Sequence, residues 1–236
     1  MKIENSKPAR PNHSGRLKIT KVCGMRNQKN IADLLQLPVD WMGLIFYEKS
    51  KRHVPNSAAK EILAASEGKV KRVGVFVNED LDTVVQKIAK FKLSFVQLHG
   101  KESPDYCYDL LAKSAKTFGC GDDLQIIKAF SVDEHFDFAT TKGYEPYVNY
   151  FLFDTKGKNP GGNGFTFDWT LLKKYTGNLP FLLSGGLDEF SAAAIKSLNL
   201  PKLVGVDVNS KFEIEPALKD IEMLQRFTQS LEEMTI

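Results

Sequence analysis

Short apolar runs recur along this chain at roughly 20–30 residue intervals, each followed by a segment whose apolar residues fall three and four positions apart. From Lys18 onward there are eight: Ile19–Cys23, Trp41–Phe46, Val70–Val77, Ser94–Leu98, Leu124–Ala129, Tyr150–Phe153, Phe181–Leu183 and Leu203–Val206. Between them, Asn30–Leu37, Leu81–Phe91 and Phe190–Leu198 have the spacing of amphipathic helices. Helix starts are signalled by Asn78 before the third helix, by Ser103-Pro104 as N-cap and first-turn proline, and by Asp188 before the seventh. Continuous apolar strands alternating with helices imply a parallel sheet covered on both faces. Eight such units in about 220 residues favour an α/β fold, the closed (βα)8 TIM barrel, over an open doubly wound sheet. The open sheet would need a GxGxxG turn after its first strand, and Cys23-Gly-Met-Arg-Asn27 has one glycine.

A chain of 236 residues with 42% apolar composition can build one large core. No linker rich in Pro, Gly or Ser divides it, so residues 18–236 read as a single barrel domain preceded by a disordered tail over 1–17. That tail is basic and lacks an apolar segment, which argues against a secretory signal and leaves a transit peptide as the alternative. No apolar run of about 18 residues offers a membrane span. The net charge is +3 and no basic run is interleaved with aromatics, so neither nucleic acid nor a membrane is an expected partner. Small anionic substrates fit that balance. Cys23, Cys107 and Cys120 cannot all pair and lack zinc-site spacing, which points to a reducing, cytoplasmic compartment and to no metal.

Barrel active sites lie at the carboxyl ends of the strands. Those ends carry Cys23; Tyr47 with Lys49, Lys51 and Arg52; Asn78; His99; Lys128; Asp154; Ser184-Gly185-Gly186; and Asp207 with Asn209 and Ser210. A lone cysteine is ordinarily a small buried hydrophobe. At a strand end before Gly24, with Lys21 and Arg26 nearby, Cys23 can instead be a thiolate base. Asp154 ends an apolar run and precedes a loop holding Gly157, Gly161, Gly162 and Gly164. It is either a helix cap or lysine partner, or a carboxyl group kept protonated between Phe151 and Phe153 under a closing loop. Arg52 sits in a charge run that would by default be a solvated loop, yet its guanidinium fork suits a substrate carboxylate. Ser184-Gly185-Gly186 and Asp207-Val-Asn-Ser210 occupy the phosphate-binding end of such barrels, although tight turns require glycine equally. His99 and Lys128 are read as substrate contacts or rim supports.

Lys21-Val-Cys-Gly-Met25, Gly43-Leu-Ile-Phe-Tyr47, Ser50-Lys-Arg52, Val73-Gly-Val-Phe-Val-Asn78, Val96-Gln-Leu-His-Gly100, Asp154-Thr-Lys156, Ser184-Gly-Gly-Leu187 and Gly205-Val-Asp-Val208 occur in one order through all eight units. In this the chain resembles the phosphoribosylanthranilate isomerase family. The resemblance implies a cofactor-independent Amadori rearrangement of N-(5-phosphoribosyl)anthranilate to 1-(2-carboxyphenylamino)-1-deoxyribulose 5-phosphate, in tryptophan biosynthesis. By similarity, Asp154 is the general acid and Cys23 the general base. Arg52 would bind the anthranilate carboxylate, Asp207 the sugar hydroxyls, and the last two loops, with Ser184, Gly185, Gly186, Asn209 and Ser210, the phosphate. His99 would be a further substrate contact, and a homodimer is left open. Family members often read Asp-Val-Ser-Ser-Gly-Val-Glu after the eighth strand, whereas this chain has Lys211 at the glycine. That puts the local backbone in question and suggests a charge near the phosphate. The rival readings are another sugar-phosphate barrel enzyme, expected to use a lysine and a glutamate or two aspartates, and a non-catalytic phosphate-binding barrel.

Overall fold

All eight apolar runs form strands in the computed structural model, which describes residues 17–119, 124–155 and 168–233. They are β1 Ile19–Cys23, β2 Trp41–Ile45, β3 Lys71–Phe76, β4 Phe95–Leu98, β5 Gln125–Val132, β6 Tyr150–Thr155, β7 Phe181–Ser184 and β8 Leu203–Val208. Each strand pairs in parallel with the next, and β8 closes onto β1 from Ile19 opposite Gly205 to Val22 opposite Val208. Around this barrel run α1 Gln28–Leu34, α2 Ala59–Ser66, α3 Leu81–Phe91, α4 Pro104–Phe118, α5 Ala192–Ser197 and α6 Ile221–Glu233. Residues 1–16 of the expected tail and the loop from Gly157 to Gly164 lie outside the described residues. Among the described residues no helix is long and apolar enough to cross a membrane.

Successive side chains of a strand face opposite sides, and that period of two places the chemistry. Leu152 packs inside the barrel with Trp41, Val73, Phe95, Ile127, Ala129 and Leu182. Phe151 and Phe153 belong to the outer core between sheet and helices. Asp154 shares the parity of Leu152 and faces the barrel mouth, where it lines the cavity. The two phenylalanines therefore do not flank its carboxyl group, contrary to the sequence expectation. Lys128 is likewise turned outward, against the register of Ile127 and Ala129. Its ammonium is buried against Glu102 and the carbonyls of Leu98, Gly100 and Ala129, where it ties down the loop after β4.

Helix α3 follows the sequence pattern residue for residue, burying Val84, Val85, Ile88 and Phe91. Its cap is Asp80, whose side chain accepts from Thr83 N, and not Asn78. Asn78 has φ +51° and uses Oδ1 to accept from Lys101 N at 2.6 Å, bracing one rim loop against the next. Ser103 caps α4 as expected, accepting from Tyr106 N, with Pro104 in the first turn. Asp188 accepts from Phe190 N and from Ser191 Oγ, and α5 begins at Ala192.

Among the described residues no α-helix lies between β5 and β6 or between β6 and β7. After β5, the connection to β6 has a 3-10 segment, Phe138–Tyr144, and Trp169–Lys174, before β7, is 3-10 as well. The former, Phe-Ala-Thr-Thr-Lys-Gly-Tyr, places two threonines and a glycine, poor helix formers, among its seven residues. Aromatic side chains cover the sheet in place of a helix: Phe138 meets Phe153 edge-on at 5.4 Å between centroids, and Tyr175 meets Phe153 at 5.2 Å and Phe181 at 5.5 Å. A hairpin that the sequence reading did not anticipate, β9 Glu213–Glu215 with β10 Leu218–Lys219, follows β8.

Candidate active site

Where the strands end, a cavity of about 240 Å³ is lined by Cys23, Gln97, His99, Asp154, Ser184, Gly185, Gly186, Asp207, Asn209, Ser210 and Lys211, with Ile45, Val75 and Leu187. Of the residues given a catalytic or substrate-binding role by the family resemblance it gathers all except Arg52, while Tyr47, Lys49, Lys51, Asn78 and Lys128, also read at the strand ends, lie outside its lining. A second cavity, of about 320 Å³, opens at the opposite face, where Lys18, Asp40, Trp41 and Tyr150 line it. The opposite face of such barrels ordinarily serves stability.

Cys23 is 4% exposed at the end of β1. Its room is created by Gly43 on β2, where a Cβ would stand 2.7 Å from Sγ. Two residues earlier on the same strand face, Lys21 is fully buried and its Nζ lies 2.7 Å from Asp207 Oδ1. Burial opposes the Lys21 ammonium, but Asp207 and the neighbouring thiol more than offset that and hold its pKa above the usual lysine range. Burial pushes the Cys23 thiol up, and Lys21 and Lys219 only partly oppose the rise. Of the two cations read near Cys23 in the sequence, Lys21 thus acts on it. Arg26 instead turns outward and donates to the carbonyl of His53.

Asp154 is 28% exposed, with Oδ2 3.4 Å from His99 Nε2. The other imidazole nitrogen, Nδ1, lies 2.9 Å from Gln97 Nε2. Asp154 sits beside Ser184 in the β6–β7 register. At the end of β6, Thr155 Oγ1 donates to the carbonyls of Ser184 and Gly185, which fixes the turn after β7. Gly185 takes φ +86° there, with its Cα packed against Thr155, so neither the conformation nor the space admits a side chain.

Arg52 lies just outside the cavity lining, against Gly24, at a point where a Cβ on that glycine would meet its Cδ at 2.7 Å. It is within electrostatic reach of Cys23. Nε and Nη2 are taken by the carboxylate of Glu213, with Nε at 2.9 and 3.0 Å from its two oxygens, and Nη1 takes no part in that clamp. Glu213 also accepts from Lys219 Nζ at 2.6 Å, and Lys219 in turn donates to Asn209 Oδ1 at 2.8 Å. The unanticipated hairpin is thus what aims Arg52 and Asn209. Lys211 replaces the family's usual glycine without strain: it sits in a 3-10 turn, Ser210–Phe212, and has no positive φ.

Gln97, Gly43, Glu213 and Lys219 were absent from the expected site. Gln97 had a signal, the two-residue offset from His99 on one strand face. Glu213 and Lys219 had none, because they reach the site through a hairpin.

A parallel eight-stranded barrel whose mouth joins a thiol, a carboxylate, an imidazole and a glycine turn is the framework of a barrel enzyme doing acid–base chemistry on a small ligand. The family model described as N-(5'phosphoribosyl)anthranilate (PRA) isomerase matches residues 20–230. N-(5'-phosphoribosyl)anthranilate isomerase of Parabacteroides distasonis is 44% identical over 214 residues, covering 90% of this chain and 93% of that protein. Phosphoribosyl anthranilate isomerase from Thermotoga maritima superposes with a TM-score of 0.76 at 30% identity, over 91% of this chain and 98% of that one. A phosphoribosyl anthranilate isomerase in complex with reduced 1-(o-carboxyphenylamino)-1-deoxyribulose 5-phosphate gives 0.74 at 28% identity, with the same coverage. The chain belongs to the phosphoribosylanthranilate isomerase family.

Proposed function

We propose that this chain converts N-(5-phosphoribosyl)anthranilate to 1-(2-carboxyphenylamino)-1-deoxyribulose 5-phosphate, the isomerisation that serves tryptophan biosynthesis. The observation that carries this is that Cys23 and Asp154 line one cavity, together with the Ser184–Gly186 turn and Asn209 to Lys211.

Asp154 gives a proton to the ribose ring oxygen as the C1′–O bond breaks, and the nitrogen lone pair closes the C1′=N bond of the Schiff base. His99, whose Nε2 is 3.4 Å away, then faces the newly formed carboxylate. The Cys23 thiolate removes the C2′ proton; the freed pair forms C1′=C2′ while the C=N pair returns to nitrogen, giving an enolamine. The enolamine tautomerises to the ketone, so no electrons are gained or lost. Lys21 supports the thiolate at the moment of abstraction, because its ammonium lies directly beneath. Arg52 receives the anthranilate carboxylate on Nη1, the donor left outside its clamp by Glu213. Ser184, Gly185, Gly186, Asn209 and Ser210 receive the phosphate, and Lys211, which also lines the cavity, adds charge. Asp207 Oδ2, opposite the oxygen that meets Lys21, is the acceptor for a sugar hydroxyl.

Residues 18–236 form one catalytic domain in this reading. A homodimer is the proposed assembly, as the Thermotoga maritima relative is described as dimeric. The free thiols of Cys23 and Cys107 support a cytoplasmic location. The test is direct: the fluorescence of freshly formed N-(5-phosphoribosyl)anthranilate decays when the protein is added, in proportion to its concentration. An unchanged decay would sink the assignment.

A further inference from the structure

Gln97 and His99 stand two residues apart at the end of β4, so both face the barrel mouth and both line its cavity. Gln97 is only 1% exposed. Its Nε2 is 2.9 Å from His99 Nδ1, and His99 Nε2 is 3.4 Å from Asp154 Oδ2. The carboxamide turns its nitrogen, a donor, toward Nδ1, so Nδ1 is the bare ring nitrogen and a neutral imidazole carries its one N–H on Nε2, toward Asp154. The carboxamide Oε1 of Gln97 is buried, and no donor reaches it among the described residues. A buried acceptor without a donor lowers stability, and an apolar side chain of the same shape would not carry that cost.

We propose that Gln97 is a substrate-binding residue: its Oε1 accepts a hydrogen bond from a sugar hydroxyl of the bound ligand while its Nε2 holds His99 in the tautomer whose Nε2–H faces Asp154. This rests on the isomerase reading above. The ligand's carboxylate and phosphate can only accept, so its donors are the sugar hydroxyls and the anilino N–H. The anilino group travels with the ring toward Arg52, beside Gly24 of the first loop, which leaves a hydroxyl for β4. The bond satisfies the unpartnered oxygen and links the sugar to the Gln97–His99–Asp154 chain, so binding orders the donor of the first proton transfer.

The probe is reduced 1-(o-carboxyphenylamino)-1-deoxyribulose 5-phosphate, titrated calorimetrically into wild type, Gln97→Leu and Gln97→Met, together with its three single-deoxy forms. Both variants should bind the parent analogue about 5- to 30-fold more weakly, the loss expected of one buried hydrogen bond. Their thermal midpoints should stay within about 4 °C of wild type, since an unpartnered acceptor has been removed. One deoxy form should bind all three proteins with equal affinity, identifying the hydroxyl. In the wild type, ¹⁵N spectra of His99 should show Nε2 protonated and Nδ1 bare. Undiminished affinity in both variants, the same wild-type to variant ratio for every deoxy form, or a protonated Nδ1 each overturns the proposal. Failure of the wild type to bind the parent analogue would instead overturn the isomerase reading on which it rests.

Discussion

At Gly43 a Cβ would stand 2.7 Å from Cys23 Sγ and 2.9 Å from its Cα, so the thiol owes its position to an absent side chain on the neighbouring strand. Gly43→Ala should push the sulfur aside and lower kcat by about 10²-fold, the scale of a misplacement near 1 Å, with circular dichroism unchanged. Activity within twofold of wild type would remove Gly43 from the site. In the proposed mechanism, ionisation of the same thiol sets the pH profile. Burial favours the neutral form, so the folded pKa lies above the ordinary thiol value and the thiolate base accumulates only as pH rises. The logarithm of kcat/KM should therefore climb through neutral pH and level off only above about 8.5. Lys21→Gln removes the cation that opposes the rise, and the limb should move to still higher pH; a limb that stays put would mean that Lys21 serves structure alone. Cys23 and Asp154 were legible because strand ends can be read from apolar runs. The surroundings of the Asp154 carboxyl were misread because its sequence neighbours Phe151 and Phe153 lie across the sheet, in the outer core.

At the scale of elements, regular alternation was legible and its exceptions were not. The eight strands fall within a few residues of their apolar runs, and α3 matches its pattern because periodicity and capping agree there. Among the described residues the connections after β5 and β6 hold 3-10 turns in place of an α-helix, and a cluster around Phe138, Phe153 and Tyr175 buries the sheet without helical spacing. The β9–β10 hairpin left no mark, since three-residue and two-residue strands carry almost no alternation. Its consequence is nonetheless large: Glu213 joins Arg52 to Lys219, and the Lys219 backbone is pinned to α1 through both ends of the Asn30 carboxamide. Burial pulls the Lys219 ammonium below the usual lysine range even with Glu213 beside it. Glu213→Gln should strand that buried cation and cost about 3–5 kcal/mol, read as a lower urea midpoint, and should raise KM as Arg52 loses its aim. Adding Lys219→Met should recover stability but leave KM high, a non-additivity that a purely structural hairpin would lack.

Across the whole molecule, the barrel interior divides into a polar mouth and an apolar floor, and the two should respond to mutation independently. Cys23, His99, Asp154 and Asp207 occupy the mouth. The floor is closed by Trp41, 4% exposed, which lies 4.2 Å from the ring centre of Phe95 and 5.2 Å from that of Tyr150. A tryptophan so placed touches no group at the carboxyl ends of the strands, so its contribution is to packing. Trp41→Ala should lower unfolding free energy by about 3–5 kcal/mol, because the removed ring leaves a cavity that eight hydrogen-bonded strands cannot collapse to fill. At temperatures where the variant remains folded, kcat should stay within about threefold of wild type. Cys23→Ser should show the reverse, an unchanged urea midpoint with turnover reduced by about 10²–10⁴-fold. If Trp41→Ala instead abolished turnover while folded, floor and mouth would be mechanically coupled, and the separation of stability from chemistry along the barrel axis would fail for this chain.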